Sequence, residues 1–185
     1  LPALSNKPDS PLFFNAGILY QVNPSDLALK MIYKVPKQHE NVAISVLSYL
    51  IDNNNILWIS LSNFGLIGLD ASTYQLVHTI DLEKNKLGTL LYDMVLDDGM
   101  IWMSSHKGIW RLNPETLHFQ QFSTSEGLLS AEFNSNAMAQ LKDGHIAYGS
   151  LKGLTYFHPM ENQNYQSLID HVNITRVDLM SRDLS

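Results

Sequence analysis

The feature that most constrains this chain is a repeat. The stretch from Asn54 to Asp70 carries Leu57-Trp58-Ile59-Ser60 and then Gly65-Leu66. It returns between Asp98 and Pro114 as Ile101-Trp102-Met103-Ser104 with Gly108-Ile109, and between Asp143 and Pro159 as Ile146-Ala147-Tyr148-Gly149 with Gly153-Leu154. The glycines at 65, 108 and 153 stand 43 and 45 residues apart. A worn first copy runs from Phe13 to Pro24, with Gly17 in the glycine's place. The segment after each glycine-led strand repeats too, as Asn23-Pro24-Ser25-Asp26-Leu27, Asp70-Ala71-Ser72-Thr73-Tyr74 and Asn113-Pro114-Glu115-Thr116-Leu117. An opening Asn or Asp bonds its own backbone, and Pro in second place pre-sets φ, so each reads as a turn.

Each copy reads as four short strands. In the third they are expected near Leu90–Leu96, Met100–Ser104, Gly108–Leu112 and Leu117–Phe122, with Asp97-Asp98-Gly99 as a tight hairpin turn. Ile101 and Met103 alternate with Met100, Trp102 and Ser104, a period of two that puts the sets on opposite faces. No segment sustains a helical period. Four antiparallel strands recurring every 40 to 50 residues point to an all-β chain, a β-propeller fragment of about four four-stranded antiparallel blades. The blades are expected at about 10–37, 42–82, 88–123 and 134–170.

At these residues the chain resembles the two-component-regulator propeller repeat, whose pattern is an Asp/Gly turn, a Trp-centred strand and a Gly-led strand ending in Asn/Asp-Pro. Leu57-Trp58-Ile59-Ser60 and Ile101-Trp102-Met103-Ser104 fit it; Ile146-Ala147-Tyr148-Gly149 fits with Tyr in place of Trp. The stretch from Phe122 to Asn134 resembles the segment entering the closing blade, and His171 to Leu179, within 171–185, the first strand of a following Ig-like domain. The resemblance implies the periplasmic sensor region of a bacterial membrane protein, with a histidine kinase or diguanylate cyclase output outside this chain. It also implies a ring of more blades than these, so the open blade faces are expected to self-associate.

Composition narrows the rest. The 185 residues carry a net charge of −6, with no run of Lys and Arg to follow a phosphate backbone, so nucleic acid is not an expected partner. Zero cysteines remove disulfides, Cys-zinc sites and thiol nucleophiles. The apolar stretch from Val42 to Leu69 is broken by Asp52-Asn53-Asn54-Asn55, so no membrane span is read, and membrane attachment is expected only through parts outside the chain. Leu1-Pro2-Ala3-Leu4-Ser5 has neither a basic nor an apolar region and is not read as a signal peptide.

None of the seven histidines pairs at metal-ligand spacing, and no cofactor motif occurs, so no metal or cofactor is assigned. Asp52-Asn53-Asn54-Asn55 lacks the Gly and Glu of a calcium loop and reads as a hairpin turn. Asp97, Asp98, Glu126 and Glu132 are the carboxylates from which a glycosidase pair would be drawn, but the aspartates follow the repeat as turn residues, and no catalytic residue is assigned. Trp58, Trp102 and Trp110 read as blade packing. Recognition is sought instead where the copies differ, in the loop between second and third strands: Ser62-Asn63-Phe64, Ser105-His106-Lys107 and Ser150-Leu151-Lys152. Asn63, His106, Lys107 and Lys152, with Glu132 and Asn134 from the connection into the last blade, are the candidate site for a small anionic or hydroxylated ligand such as a carbohydrate. The alternatives are a dimerisation scaffold that relays a signal received elsewhere, and a propeller carbohydrate-active enzyme.

Overall fold

The structure is a computed structural model that describes residues 11–15, 17–36, 43–85 and 90–159. These form four antiparallel sheets in chain order. Sheet one holds β1 (Leu12–Asn15), β2 (Ile18–Val22) and β3 (Leu29–Lys34). Sheet two holds β4 (Val46–Ile51), β5 (Ile56–Leu61), β6 (Gly65–Asp70) and β7 (Leu76–Ile80). Sheet three repeats it with β8 (Leu91–Asp97), β9 (Met100–Ser105), β10 (Gly108–Asn113) and β11 (His118–Phe122). Sheet four holds β12 (Phe133–Gln140), β13 (Ile146–Ser150) and β14 (Gly153–Phe157). The Ig-like strand expected in 171–185 lies outside the described residues.

Local chemistry explains the strands' ends. The hairpin from β8 to β9 turns on Asp98 and Gly99, both at positive φ (45° and 73°), the turn type whose twist suits paired strands. Asn23, Asp70 and Asn113 each accept backbone N–H bonds two residues on, from Ser25, Ser72 and Glu115. The fifth residue of each of these turns, Leu27, Tyr74 and Leu117, is left-handed, with φ between 57° and 59°. Gly65 and Gly108 lead their strands because a Cβ there would collide with the carbonyl oxygens of Ile80 and Phe122.

Within each sheet the strands lie in sequence order, and the first strands of sheets two to four, β4, β8 and β12, lie beside one another. The sheets therefore stack face to face around these inner strands, as propeller blades do. Each strand sends alternate side chains to the sheet before it and the sheet after it. Ile59 and Ile67 face back to Phe14 and Leu19; Trp58 and Leu66 face on to Met103, Trp110 and Leu112; Trp102 and Ile109 face on to Ile146 and Tyr148. Each of the three joints is a separate apolar core.

The registers correct the sequence reading at three places. Trp58 pairs with Gly68, Trp102 with Arg111 and Ala147 with Tyr156, so Ala147 holds the tryptophan register and Tyr148 that of Ile59 and Met103. In sheet one Asn15 pairs with Ile18 as Ser105 pairs with Gly108, so Ile18 takes the strand-leading register and Gly17 (φ 78°) belongs to the turn. Leu61 pairs with Gly65, which makes the Ser62-Asn63-Phe64 loop one residue longer than the turns at His106-Lys107 and Leu151-Lys152.

Candidate functional site

The turns that carry Asn63, His106, Lys107 and Lys152 all join the second strand of a blade to the third. Val46 pairs with Leu61, Leu91 with Ser105 and Phe133 with Ser150, so these turns lie at the end of each sheet where the inner strand begins. Glu132 and Asn134 flank Phe133 and so share the end of sheet four that holds Lys152. The six candidates thus occupy the same end of their sheets.

The shorter turns are held by one device. The Ser105 hydroxyl donates to the Gly108 carbonyl and accepts the Lys107 N–H and the Trp110 indole N–H. The Ser150 hydroxyl donates to the Gly153 carbonyl and accepts the Lys152 N–H. This fixes the backbone and leaves the lysine side chains exposed. Asn63 (φ 57°) donates its amide to the Ala43 carbonyl at 3.0 Å. His106 is half-buried, and its Nδ1 is enclosed without a hydrogen-bond partner. Glu132 and Asn134 are exposed, the former's N–H bonded to the Ser130 hydroxyl. Chemically the turns of sheets three and four offer the lysine cations, with the His106 ring beside one of them, suited to carboxylate, sulfate or hydroxyl oxygens. An open cavity of about 770 Å³ lies elsewhere, at the turn between β2 and β3, lined by Gln21, Asn23, Ser25 and Lys30; none of the six candidates reaches it.

Asp52, Glu126 and the tryptophans have structural partners. Asp52 accepts the N–H groups of Asn54 and Ile56 and the Trp58 indole N–H at 2.8 Å, closing a hairpin turn. Glu126 closes a capping box on Ser123 at a single 3-10 turn, Thr124–Glu126, and the Ser123 hydroxyl holds its carboxyl below the usual range. Trp58, Trp102 and Trp110 are all buried in the joints.

Three buried or half-buried polar groups are not predicted by the sequence patterns. Asp93 is buried on inner strand β8, where its carboxylate accepts the N–H groups of Asn136 and Ala137 at 3.1 and 3.0 Å, tying sheet three to the bulged start of β12. Ser48 does the same one joint earlier, accepting the Met94 N–H. The Tyr148 hydroxyl is buried without a hydrogen-bond partner; burial, and then the charge of Asp93, push it well above the ordinary tyrosine value. The sequence signal for Asp93 was a carboxylate inside an apolar strand, which must find donors once buried. Among the described residues no three His, Asp or Glu gather as for a metal, and no helix is long and apolar enough to cross a membrane.

Successive sheets stacked around shared inner strands, with turns of changing sequence at one end, define a run of propeller blades. Known proteins agree at the level of the fold. No protein-family model matches the chain. The histidine kinase P4 of Formosa agariphila is 25% identical over 101 residues, which span 51% of this chain and 7% of the kinase. The extracellular domain of BT3049, assigned as a hybrid two-component system of B. thetaiotaomicron, superposes with a TM-score of 0.66 at 15% identity, over 86% of this chain and 22% of that one. That of BT4673, from the same organism and assigned to the same class, gives 0.63 at 17% identity over 83% and 22%. The computationally designed Ika8 protein gives 0.53 at 14% identity, over 84% of this chain and 44% of its own. This chain therefore spans about a fifth of the sensor domains it resembles.

Proposed function

We propose that the chain is part of the extracytoplasmic, periplasmic sensor region of a bacterial transmembrane signalling protein of the two-component-regulator propeller type, and that it recognises its ligand with the turns between second and third strands. The observation that carries this is the combination of the sequence likeness to a histidine kinase with a fold shared with extracellular domains of two-component systems. The turns supply the recognition chemistry, because rigid sheets hold Asn63, His106, Lys107 and Lys152 at one end while their sequences differ from copy to copy. Catalysis and output belong to other parts of such a protein.

The test is a thermal-shift and calorimetric screen of the chain against defined neutral, uronic and sulfated oligosaccharides. At least one class is expected to bind, and the His106→Ala, Lys107→Ala, Lys152→Ala triple variant to lose that binding at least tenfold while melting at an unchanged temperature. Binding that survives the triple variant would contradict the site. A second reading is a scaffold that only relays a signal received elsewhere. Absence of binding to every class at millimolar concentration would favour it.

A further inference from the structure

The joint between sheets three and four is not tied like the one before it. Between sheets two and three the ties are hydroxyls: Ser48 accepts the Met94 N–H, and Ser60 donates to the Leu91 carbonyl at 2.6 Å. Between sheets three and four the tie is the buried carboxylate of Asp93, on the N–H groups of Asn136 and Ala137. The same joint encloses the Tyr148 hydroxyl without a hydrogen-bond partner, in the core that Trp102, Ile109 and Ile146 share. An unpaired hydroxyl at such depth is costly, and the cost stands until the chain finds it an acceptor. The charge of Asp93 reaches this hydroxyl.

The backbone that Asp93 holds has slack. From Phe133, opposite Ser150, to Met138, opposite Tyr148, β12 takes five steps while β13 takes two. At the same place on the other inner strands, β8 takes three steps against two and β4 takes two against one. So β12 carries three residues beyond its partner where β4 and β8 each carry one. Asn134, Ser135 and Asn136 are exposed, and Asn136 has a φ of 55°, a left-handed conformation inside a strand. The register with β13 is broken across this bulge, and the two bonds to Asp93 fasten it to sheet three. The register resumes at Met138, opposite Tyr148, so the bulge ends at the residue whose hydroxyl is unpaired.

We propose that Asp93 is a two-position latch between sheets three and four. In one position, that of the structure, its carboxylate holds the Asn136 and Ala137 N–H groups. In the other it accepts the Tyr148 hydroxyl, and the start of β12 comes free of sheet three. The two positions are close in energy for a physical reason. The first makes two backbone bonds but leaves a hydroxyl unpaired in the core. The second pairs that hydroxyl with a charge, one of the stronger kinds of hydrogen bond, and hands two N–H groups of an exposed bulge to water. States so matched are both populated, and a modest bias shifts the balance. The previous joint has no such choice: Ser48 stands at the register of Asp93, and Met103, with no hydroxyl, at that of Tyr148. The freed bulge carries Asn134 and adjoins Glu132, so a ligand held at the turn end would act on the latch. That coupling rests on the sensor reading; the latch does not.

The test is amide relaxation dispersion and hydrogen exchange on the labelled chain with no ligand added. The wild type should show exchange at the Asn136 and Ala137 amides. Tyr148→Phe removes the second position: the exchange should vanish, the two amides should be protected about tenfold better, and the melting temperature should rise. Asp93→Asn, which keeps one acceptor oxygen, should deprotect both amides, and adding Tyr148→Phe to it should change them no further. Circular dichroism checks that each variant folds. A wild type without exchange at these amides overturns the proposal, and so does exchange that persists in Tyr148→Phe. A lower melting temperature in Tyr148→Phe also overturns it, since that marks a hydroxyl already bonded in the first position. So does a Tyr148→Phe effect that survives beside Asp93→Asn. A latch that passes these tests while no oligosaccharide binds stands alone, and only its coupling to a ligand falls.

Discussion

Leu27, Tyr74 and Leu117 hold a left-handed backbone that branched and aromatic side chains adopt only at a cost of about 1–2 kcal/mol. The turn enforces it: the N–H groups of Leu27 and Tyr74 bond back to the carbonyls of Asn23 and Asp70. Leu27 is 73% exposed and loses little packing if replaced. Leu27→Asn should therefore stabilise the chain by about 0.5–1 kcal/mol, read from urea unfolding. Gly108→Ala should do the reverse, by about 2–4 kcal/mol, since its new Cβ meets the Phe122 carbonyl at a φ of 115°. At Glu126 the effect depends on pH. Its carboxyl is held below the ordinary 4.5 by the Ser123 hydroxyl, so its contribution is present above that value and lost as pH falls through the folded-state pKa. The stability gap between the wild type and Glu126→Gln should be constant near neutrality and close in acid.

At the scale of the element, strands and turns were legible because their signals are local: a period of two in Ile101-Trp102-Met103-Ser104, and Asn or Asp opening each turn. Register was harder. Matching aromatic to aromatic put Tyr148 in the tryptophan's place, whereas counting back from Gly153, as one counts back from Gly108 to Trp102, reaches Ala147. The Asp93 tie was beyond local reading, because its donors lie 43 and 44 residues away. For the site, hairpin geometry puts the variable turns at one end, and Ser105 and Ser150 recur in them, but the bonds by which their hydroxyls hold the turns depend on the folded backbone. The ties and the tryptophans set how firmly one sheet is joined to the next. Asp93→Ala leaves two backbone donors of β12 unpaired and should cost about 2–4 kcal/mol, more than Ser48→Ala, which frees one. Trp102→Ala opens the third joint, where Phe122, Phe157 and the Arg111 guanidinium all pack on the indole, and should cost about 3–5 kcal/mol. Equilibrium unfolding of the variants against wild type checks both orders.

At the scale of the molecule, everything proposed depends on the sheets being stacked front to back. The stack puts Asn63, Lys107 and Lys152 at one end of successive sheets. It is also what this chain shares with the extracellular sensor domains it resembles, despite identities of 15% and 17%.

The most direct test is a methyl and aromatic NOE spectrum of the chain with labelled Leu, Ile, Val and Met methyls. Stacking predicts cross-peaks from Leu66 and the Trp58 indole in sheet two to Met103 and Leu112 in sheet three, and from Ile109 in sheet three to Ile146 and Tyr148 in sheet four. Cross-peaks confined within each sheet would contradict the stack and, with it, the shared end of the site.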